Sequence, residues 1–129
     1  MKPIRILLAD DHTLVRQGIR SLLEGQPGCV VIGEAIDGIE AVELIEREKP
    51  DVALMDIMMP NLNGLDATKQ VTQLKIATKI IILSMHANST YAIRALKSGA
   101  VGYLLKDADQ EEIFSAIQAV VRGQRYITP

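Results

Sequence analysis

The sequence is poor in aromatic residues and in cysteine. Its 129 residues include no Trp, one Phe, three Tyr and one Cys. So few aromatic side chains leave little surface on which nucleobases or a flavin ring could stack. The lone Cys29 cannot form an internal disulfide, and its apolar neighbours favour a buried structural thiol in a reducing cytoplasm.

Long apolar runs and an excess of basic charge are also lacking. No run approaches the roughly 18 residues that a membrane span needs, and no signal-peptide pattern follows Met1. The 14 basic and 16 acidic side chains give a net charge of -2, without a basic footprint for nucleic acid. We therefore expect one soluble cytoplasmic domain that binds no membrane and, by itself, no DNA.

The order of apolar and amphipathic segments predicts a doubly wound α/β fold. Five short apolar runs alternate with five segments whose apolar residues recur at helical spacing. Buried strands joined by helical crossovers indicate a parallel sheet covered on both faces. A flavodoxin-like (βα)5 domain with strand order 2-1-3-4-5 would place the first and third strands side by side. The predicted strands are residues 4–9, 29–36, 52–56, 79–84 and 101–105.

Polar side chains stand where four of these strands end. Asp10 and Asp11 follow the first strand, and Asp56 closes the third. Ser84 closes the fourth strand, and Lys106 follows the fifth. The carboxyl ends of parallel strands lie at one edge of a sheet, which is where open α/β sheets bind ligands. These side chains are therefore expected to share one crevice.

Three carboxylates in one crevice need compensation. Two like charges about 5 Å apart repel by roughly 3 kcal/mol at an effective dielectric near 20, so the site needs a cation or a raised pKa. Oxygen ligands suit Mg²⁺, with Mn²⁺ as an alternative. A metal, a lysine and a hydroxyl around one carboxylate would form a cage for a phosphoryl group. Asp56 is the candidate nucleophile.

At these positions the chain resembles a family, the receiver domains of bacterial two-component response regulators. The matching residues, in the family's order over residues 3 to 122, are Asp10 and Asp11, Asp56 with Met59, Pro60 and Gly64 behind it, Ser84, Tyr103 and Lys106. Residues 122–129 are similar to the region that joins receiver to helix-turn-helix domain in NarL/LuxR-type regulators. The resemblance implies a receiver at residues 1–122 and, at 123–129, the start of a linker to a DNA-binding output domain.

The resemblance also implies a role for each residue of the crevice. Asp56 would accept the phosphoryl group from the phosphohistidine of a sensor histidine kinase. Asp10, Asp11 and Asp56 would hold Mg²⁺ together with the backbone carbonyl of Met58. Lys106 would pair with the phosphoryl oxygens. The chain would catalyse only its own phosphorylation and dephosphorylation.

Signalling would follow from two further residues. The Ser84 hydroxyl would bind a phosphoryl oxygen, and its movement would let Tyr103 rotate inward. The face formed by the fourth strand, fourth helix and fifth strand would then repack, which makes a two-state switch. Control of the output domain would follow, and homodimerisation on phosphorylation is compatible with the resemblance. An ordinary half-buried tyrosine remains an equal interpretation of Tyr103.

Two other functions stay open. An aspartyl-phosphate hydrolase could use a similar sheet, but such enzymes usually carry a second Asp two residues after the nucleophile, where this chain has Met58. A flavodoxin-like cofactor carrier would need a phosphate-binding loop after the first strand and more aromatic residues than the chain has.

The sequence departs from the family's pattern after its lysine. Asp107 follows Lys106 where many receivers have a proline, so we predict a trans peptide bond there. The two histidines, His12 and His86, are expected to be surface residues without a metal role.

Met58 and His86, two residues after Asp56 and Ser84, are predicted to set the hydrolysis rate of the phosphoryl group. Both would flank the approach of water, so the Met58→Asn and His86→Glu variants should change the lifetime of the phosphorylated state. Decay of the phosphorylated protein measures that lifetime. Identical decay in wild type and both variants would contradict the hypothesis.

Overall fold

The computed structural model describes residues 2–85 and 89–128, and its elements alternate as predicted. The strands are β1 (Ile4–Ala9), β2 (Cys29–Ala35), β3 (Val52–Asp56), β4 (Lys79–Ser84), β5 (Gly102–Leu105) and β6 (Tyr126–Ile127). The helices are α1 (Thr13–Glu24), α2 (Gly38–Glu48), α3 (Gly64–Gln73), α4 (Ser89–Ser98) and α5 (Gln110–Val121). His86, singled out above, lies outside the described residues.

The strands form one parallel sheet in the order β2-β1-β3-β4-β5-β6. The predicted order of the first five strands is therefore confirmed. Ala9, the last residue of β1, lies between Ala35 of β2 and Met55 of β3. The chain direction of the crossovers reverses at β1, so the ends of β1 and β3 lie side by side at the crevice where doubly wound sheets bind ligands.

Alternating side chains of the strands build a core layer on each face of the sheet. In β1, Leu7 and Ala9 join the layer that contains the buried residues of α2, α3 and α4. Ile6 and Leu8 join the opposite layer, which is closed by α1 and α5. All four side chains are at most 2% exposed. Burial on both faces explains why the strand is a continuous apolar run.

Within the described ranges 2–85 and 89–128, side-chain caps are present at the start of three helices. The carboxylates of Asp37 and Asp109 and the amide oxygen of Asn63 each accept from a backbone N–H three residues ahead, at 2.8, 2.8 and 2.9 Å. Asp37 thus caps the start of α2, and Asp109 caps the start of α5. Each such cap stabilises a helix by about 1 kcal/mol. At the start of α1, His12 makes no side-chain cap bond.

The sheet has a sixth strand that the sequence did not predict, and it lies in the C-terminal segment. Tyr126 and Ile127 pair with β5 opposite Gly102 and Tyr103. Thr128 donates from its backbone N–H to the Tyr103 carbonyl at 2.9 Å. A two-residue strand has no readable alternation, and it forms only because β5 offers an unpaired edge. The sequence therefore could not distinguish it from a tail.

The part of the chain that the structure describes contains no helix with the length and apolarity that crossing a bilayer requires.

We predict that Tyr126→Phe loosens the C-terminal strand. The Tyr126 hydroxyl donates to Glu112 Oε2 at 3.1 Å, and burial together with Glu112 raises the pKa of that hydroxyl, so it remains a donor. Losing the bond should lower the free energy of unfolding by about 0.5–1.5 kcal/mol. Urea unfolding measures the loss, and hydrogen exchange at the Thr128 amide should become faster. An unchanged free energy of unfolding and an unchanged exchange rate would contradict a stabilising role for the hydrogen bond between Tyr126 and Glu112.

Candidate functional site

Two carboxylates are buried side by side at the carboxyl edge of the sheet. Asp56 is the last residue of β3, Asp10 follows β1, and each is 2% exposed. Asp11 is exposed at the mouth of the crevice. Ligand atoms of these three residues and of His12 all lie within 4.8 Å of one another. The predicted acidic crevice is therefore present in the structure.

Lys106 places a positive charge between the two buried carboxylates. Its Nζ lies 3.0 Å from Asp56 Oδ2 and 3.1 Å from Asp10 Oδ2, and its side chain is only 5% exposed. The Lys106 backbone N–H donates to the Ser84 carbonyl at 2.8 Å, which fixes the lysine at the end of β4. The hydroxyl residue and the cation predicted from sequence are thus held together.

The ionisation of this pair reflects competing effects. Burial raises the pKa of Asp56, and the Asp10 charge adds to the rise, although Lys106 opposes it. Burial acts to lower the pKa of Lys106, but its contacts with Asp56 and Asp10 outweigh burial and raise it. The lysine therefore keeps its charge, whereas full ionisation of Asp56 calls for more positive charge than Lys106 supplies.

The carboxylate oxygens of the crevice fit a divalent cation. Asp10 Oδ2 and Asp56 Oδ2 are buried, and within the described residues neither has a well-aligned hydrogen-bond donor, even though Lys106 is close. Buried acceptors normally have such donors. Two oxygens with free acceptor capacity, next to the carboxylate of Asp11, are the hard ligands that Mg²⁺ prefers.

His12 belongs to the site, which the sequence did not indicate. Its imidazole is 59% exposed, as expected for a surface residue, yet Nδ1 lies 3.1 Å from Asp10 Oδ1 and 3.3 Å from Lys106 Nζ. Its backbone N–H also donates to Asp10 Oδ1 at 2.8 Å. The imidazole therefore contacts Asp10 and Lys106 in the crevice and does not cap α1. The only sequence signal was its place directly after Asp10 and Asp11.

The loop after Asp56 is packed tightly against that residue. A Cβ atom on Gly64 would lie 1.9 Å from the Asp56 carbonyl oxygen, so only glycine fits. Asn61, in a left-handed conformation with φ of 67°, donates from Nδ2 to Asp37 Oδ2 at 2.8 Å. Met58, nearer the start of this loop, exposes 61% of its surface. The loop between β3 and α3 is thus fixed at Asn61 and at Gly64.

The remaining predicted residues occupy neighbouring strands. Ser84 is buried. It follows Leu83, the residue of β4 that pairs with Asp56 of β3. Tyr103 is 2% exposed and belongs to the core layer of α2, α3 and α4. The described residues contain no cis peptide bond, which confirms the trans bond after Lys106.

The sequence profile of the response regulator receiver domain matches residues 6–118. The chain belongs to this family. The crevice built by Asp10, Asp11, Asp56 and Lys106 is therefore the acidic edge of a receiver domain, and the fold predicted from sequence is the family's fold.

Known proteins similar to this receiver domain include a transcriptional regulatory protein and a response regulator. It is 42% identical over 126 residues to the transcriptional regulatory protein DegU of Brevibacillus brevis, covering 98% of this chain and 53% of that protein. It is 44% identical over 124 residues to the response regulator UvrY of Escherichia coli K12, covering 96% of this chain and 57% of that protein. The chain thus spans little more than half the length of these relatives.

A solved structure shares the arrangement closely. A two-component response regulator of the LuxR family from Aurantimonas sp. SI85-9A1 superimposes with a TM-score of 0.93 at 40% identity. The match covers 99% of this receiver domain and 91% of that chain. It therefore includes the C-terminal residues that extend the sheet beyond β5.

In metal-free buffer, Asp56→Asn should stabilise the domain at about pH 7. The folded state raises the pKa of Asp56, so it holds the proton more tightly than the unfolded chain does. The stability linked to this group is full below the unfolded pKa and is lost as pH rises through the folded one. The gain from Asp56→Asn should therefore shrink on acidification to about pH 3.

Urea unfolding at both pH values measures this gain. Asp11→Asn is the control, because Asp11 carries the same charge but is exposed. An equal or larger gain from Asp11→Asn would show that burial of Asp56 is not the cause.

Proposed function

We propose that this receiver domain accepts a phosphoryl group on Asp56 from a sensor histidine kinase. The observation that carries the proposal is the buried Asp56 carboxylate, 3.0 Å from Lys106 Nζ and next to a second buried carboxylate, Asp10. Buried acids seldom crowd together for stability alone. A carboxylate with a fixed cation and a fitting metal site beside it suits phosphoryl transfer.

The transfer exchanges one bond to phosphorus for another. A carboxylate oxygen of Asp56 attacks the phosphorus of the kinase's phosphohistidine, and a phosphorus–oxygen bond forms as the phosphorus–nitrogen bond breaks. The electron pair leaves with the imidazole, which takes up a proton. Lys106 supplies fixed positive charge to the phosphoryl oxygens from its place between the strands.

Asp10, Asp11, Asp56 and the backbone carbonyl of Met58 would hold Mg²⁺, or Mn²⁺ in its place. When bound, the ion supplies positive charge to the oxygens of the transferring group. The residues of the chain meanwhile keep the carboxylates at the edge of the sheet and out of bulk water, since Asp10 and Asp56 are each 2% exposed.

The added charge would act on the neighbouring strands. Ser84 ends β4 beside the crevice, and Tyr103 lies in β5 opposite Ile82. Rearrangement of Ser84 and Tyr103 would repack the face of β4, α4 and β5. Of the residues in α4, only Ala95 is buried, so this helix can shift with little loss of packing.

The output would lie outside this chain. The relatives named as regulators are nearly twice as long, which supports a C-terminal DNA-binding domain reached through residues 123–129. The whole protein would act in the cytoplasm, and homodimerisation would follow phosphorylation. In this proposal the residues of this chain do not bind DNA by themselves. The chain's catalysis would be limited to its own phosphorylation and dephosphorylation.

Intact mass after incubation with acetyl phosphate tests the proposal. Wild type should gain one phosphoryl group only when Mg²⁺ is present, and Asp56→Asn should gain none. Asp51→Asn is the matched control. Asp51 is an exposed carboxylate directly before the first residue of β3, whereas Asp56 is the last residue of that strand. No adduct on wild type, together with no binding of beryllofluoride, would contradict the proposal. An aspartyl-phosphate hydrolase would instead turn over added phosphate esters.

A further inference from the structure

A half-buried ion network next to Asp10 is not used by the phosphoryl chemistry described above. The Glu34 carboxylate of β2 accepts hydrogen bonds from two arginines of α1. Arg16 Nε donates to Oε1 at 2.6 Å, and Arg20 NH1 donates to Oε2. The Arg16 side chain is 11% exposed and that of Arg20 is 32% exposed. Although burial opposes it, the two arginines lower the pKa of Glu34, so the carboxylate stays ionised.

Arg16 makes one contact that Arg20 does not. Its NH1 donates to the backbone carbonyl of Asp10 at 2.7 Å. Asp10 lies just past the end of β1, and on its other side its N–H donates to the Ala35 carbonyl of β2 at 3.0 Å. The backbone of Asp10 is thus held at its N–H by the sheet and at its carbonyl by Arg16.

We propose that Arg16 is a positioning residue for the metal site, fixing the backbone that carries Asp10 and Asp11 through its anchor on Glu34. This inference rests on the proposed function, since it concerns the same Mg²⁺ site. A guanidinium suits the task because its Nε and NH1 are locked in one plane and can serve two acceptors at once. Partners that orient metal ligands from behind contribute strongly to metal affinity.

Charge and position predict opposite effects at this residue. A positive side chain close to a crevice of carboxylates repels a divalent cation, so its removal should tighten binding if charge were all that mattered. Loss of the hydrogen bond to the Asp10 carbonyl frees the backbone and should weaken binding. The sign of the change in affinity therefore separates the two roles.

Titration of the 129-residue chain with Mn²⁺, followed by electron paramagnetic resonance of the free ion, gives the dissociation constant directly. Calorimetry with Mg²⁺ provides the second readout. Arg16→Gln should raise both dissociation constants about tenfold. Arg20→Gln is the matched control, because it removes the same charge and one contact to Glu34 but leaves the Asp10 carbonyl bound. Its affinity should equal that of wild type or be slightly tighter.

Arg16→Lys tests geometry with the charge retained. One ammonium cannot reproduce the planar fork between Glu34 and the Asp10 carbonyl, so this variant should also bind the ions more weakly than Arg20→Gln does. It carries the test alone if Arg16→Gln fails to fold, which circular dichroism checks.

Affinity in the Arg16 variants equal to or tighter than in Arg20→Gln would overturn the inference and leave the proposed function standing. Absence of Mg²⁺ and Mn²⁺ binding by the wild type would remove the site itself and overturn both.

Discussion

The structure depends on an unbalanced charge at the carboxyl edge of the sheet. Asp10 and Asp56 are buried carboxylates that share the ammonium of Lys106, and among the described residues the oxygen that each turns to this ammonium has no well-aligned donor. Burying two like charges opposes folding unless other interactions hold them. The parallel sheet provides these, because β1 and β3 pair along apolar residues that are buried on both faces. Apolar burial in the core therefore offsets the cost of burying two carboxylates that can bind a cation.

The backbone around the two carboxylates is fixed by contacts that lie outside the strands. Gly64 approaches the Asp56 carbonyl so closely that no side chain fits, and its N–H donates to Ile57 at 2.8 Å. On the other side, Arg16 takes the place of a strand partner for the Asp10 carbonyl. Both contacts occur where a strand has ended and its regular hydrogen bonds have stopped. A site at the end of a sheet needs such contacts, because hydrogen bonds between strands no longer orient the backbone that carries its ligands.

The sequence predicted the fold and the crevice well because both follow from local patterns. Residues 4–9, 52–56 and 79–84 have the bounds of β1, β3 and β4, since buried parallel strands are apolar runs that end at polar residues. What it could not predict depends on side chains from distant elements. Glu34 and Arg16 are 18 residues apart and look like solvated charges in sequence. His12 was recognised only as a surface residue, because the contact of its ring with Lys106, 94 residues away, is tertiary.

Hydrogen bonds tie α4 to α3 and β5 to the C-terminal strand β6. The C-terminal end of α4 is tied to α3, because Thr72 Oγ1 donates to the Ser98 carbonyl at 3.0 Å and Gly99 packs directly on Thr72. The Tyr103 carbonyl, in turn, accepts from both the N–H and the hydroxyl of Thr128, at 2.9 and 3.1 Å. Any shift of the β5 backbone at Tyr103 therefore disturbs its pairing with β6 and its two hydrogen bonds from Thr128.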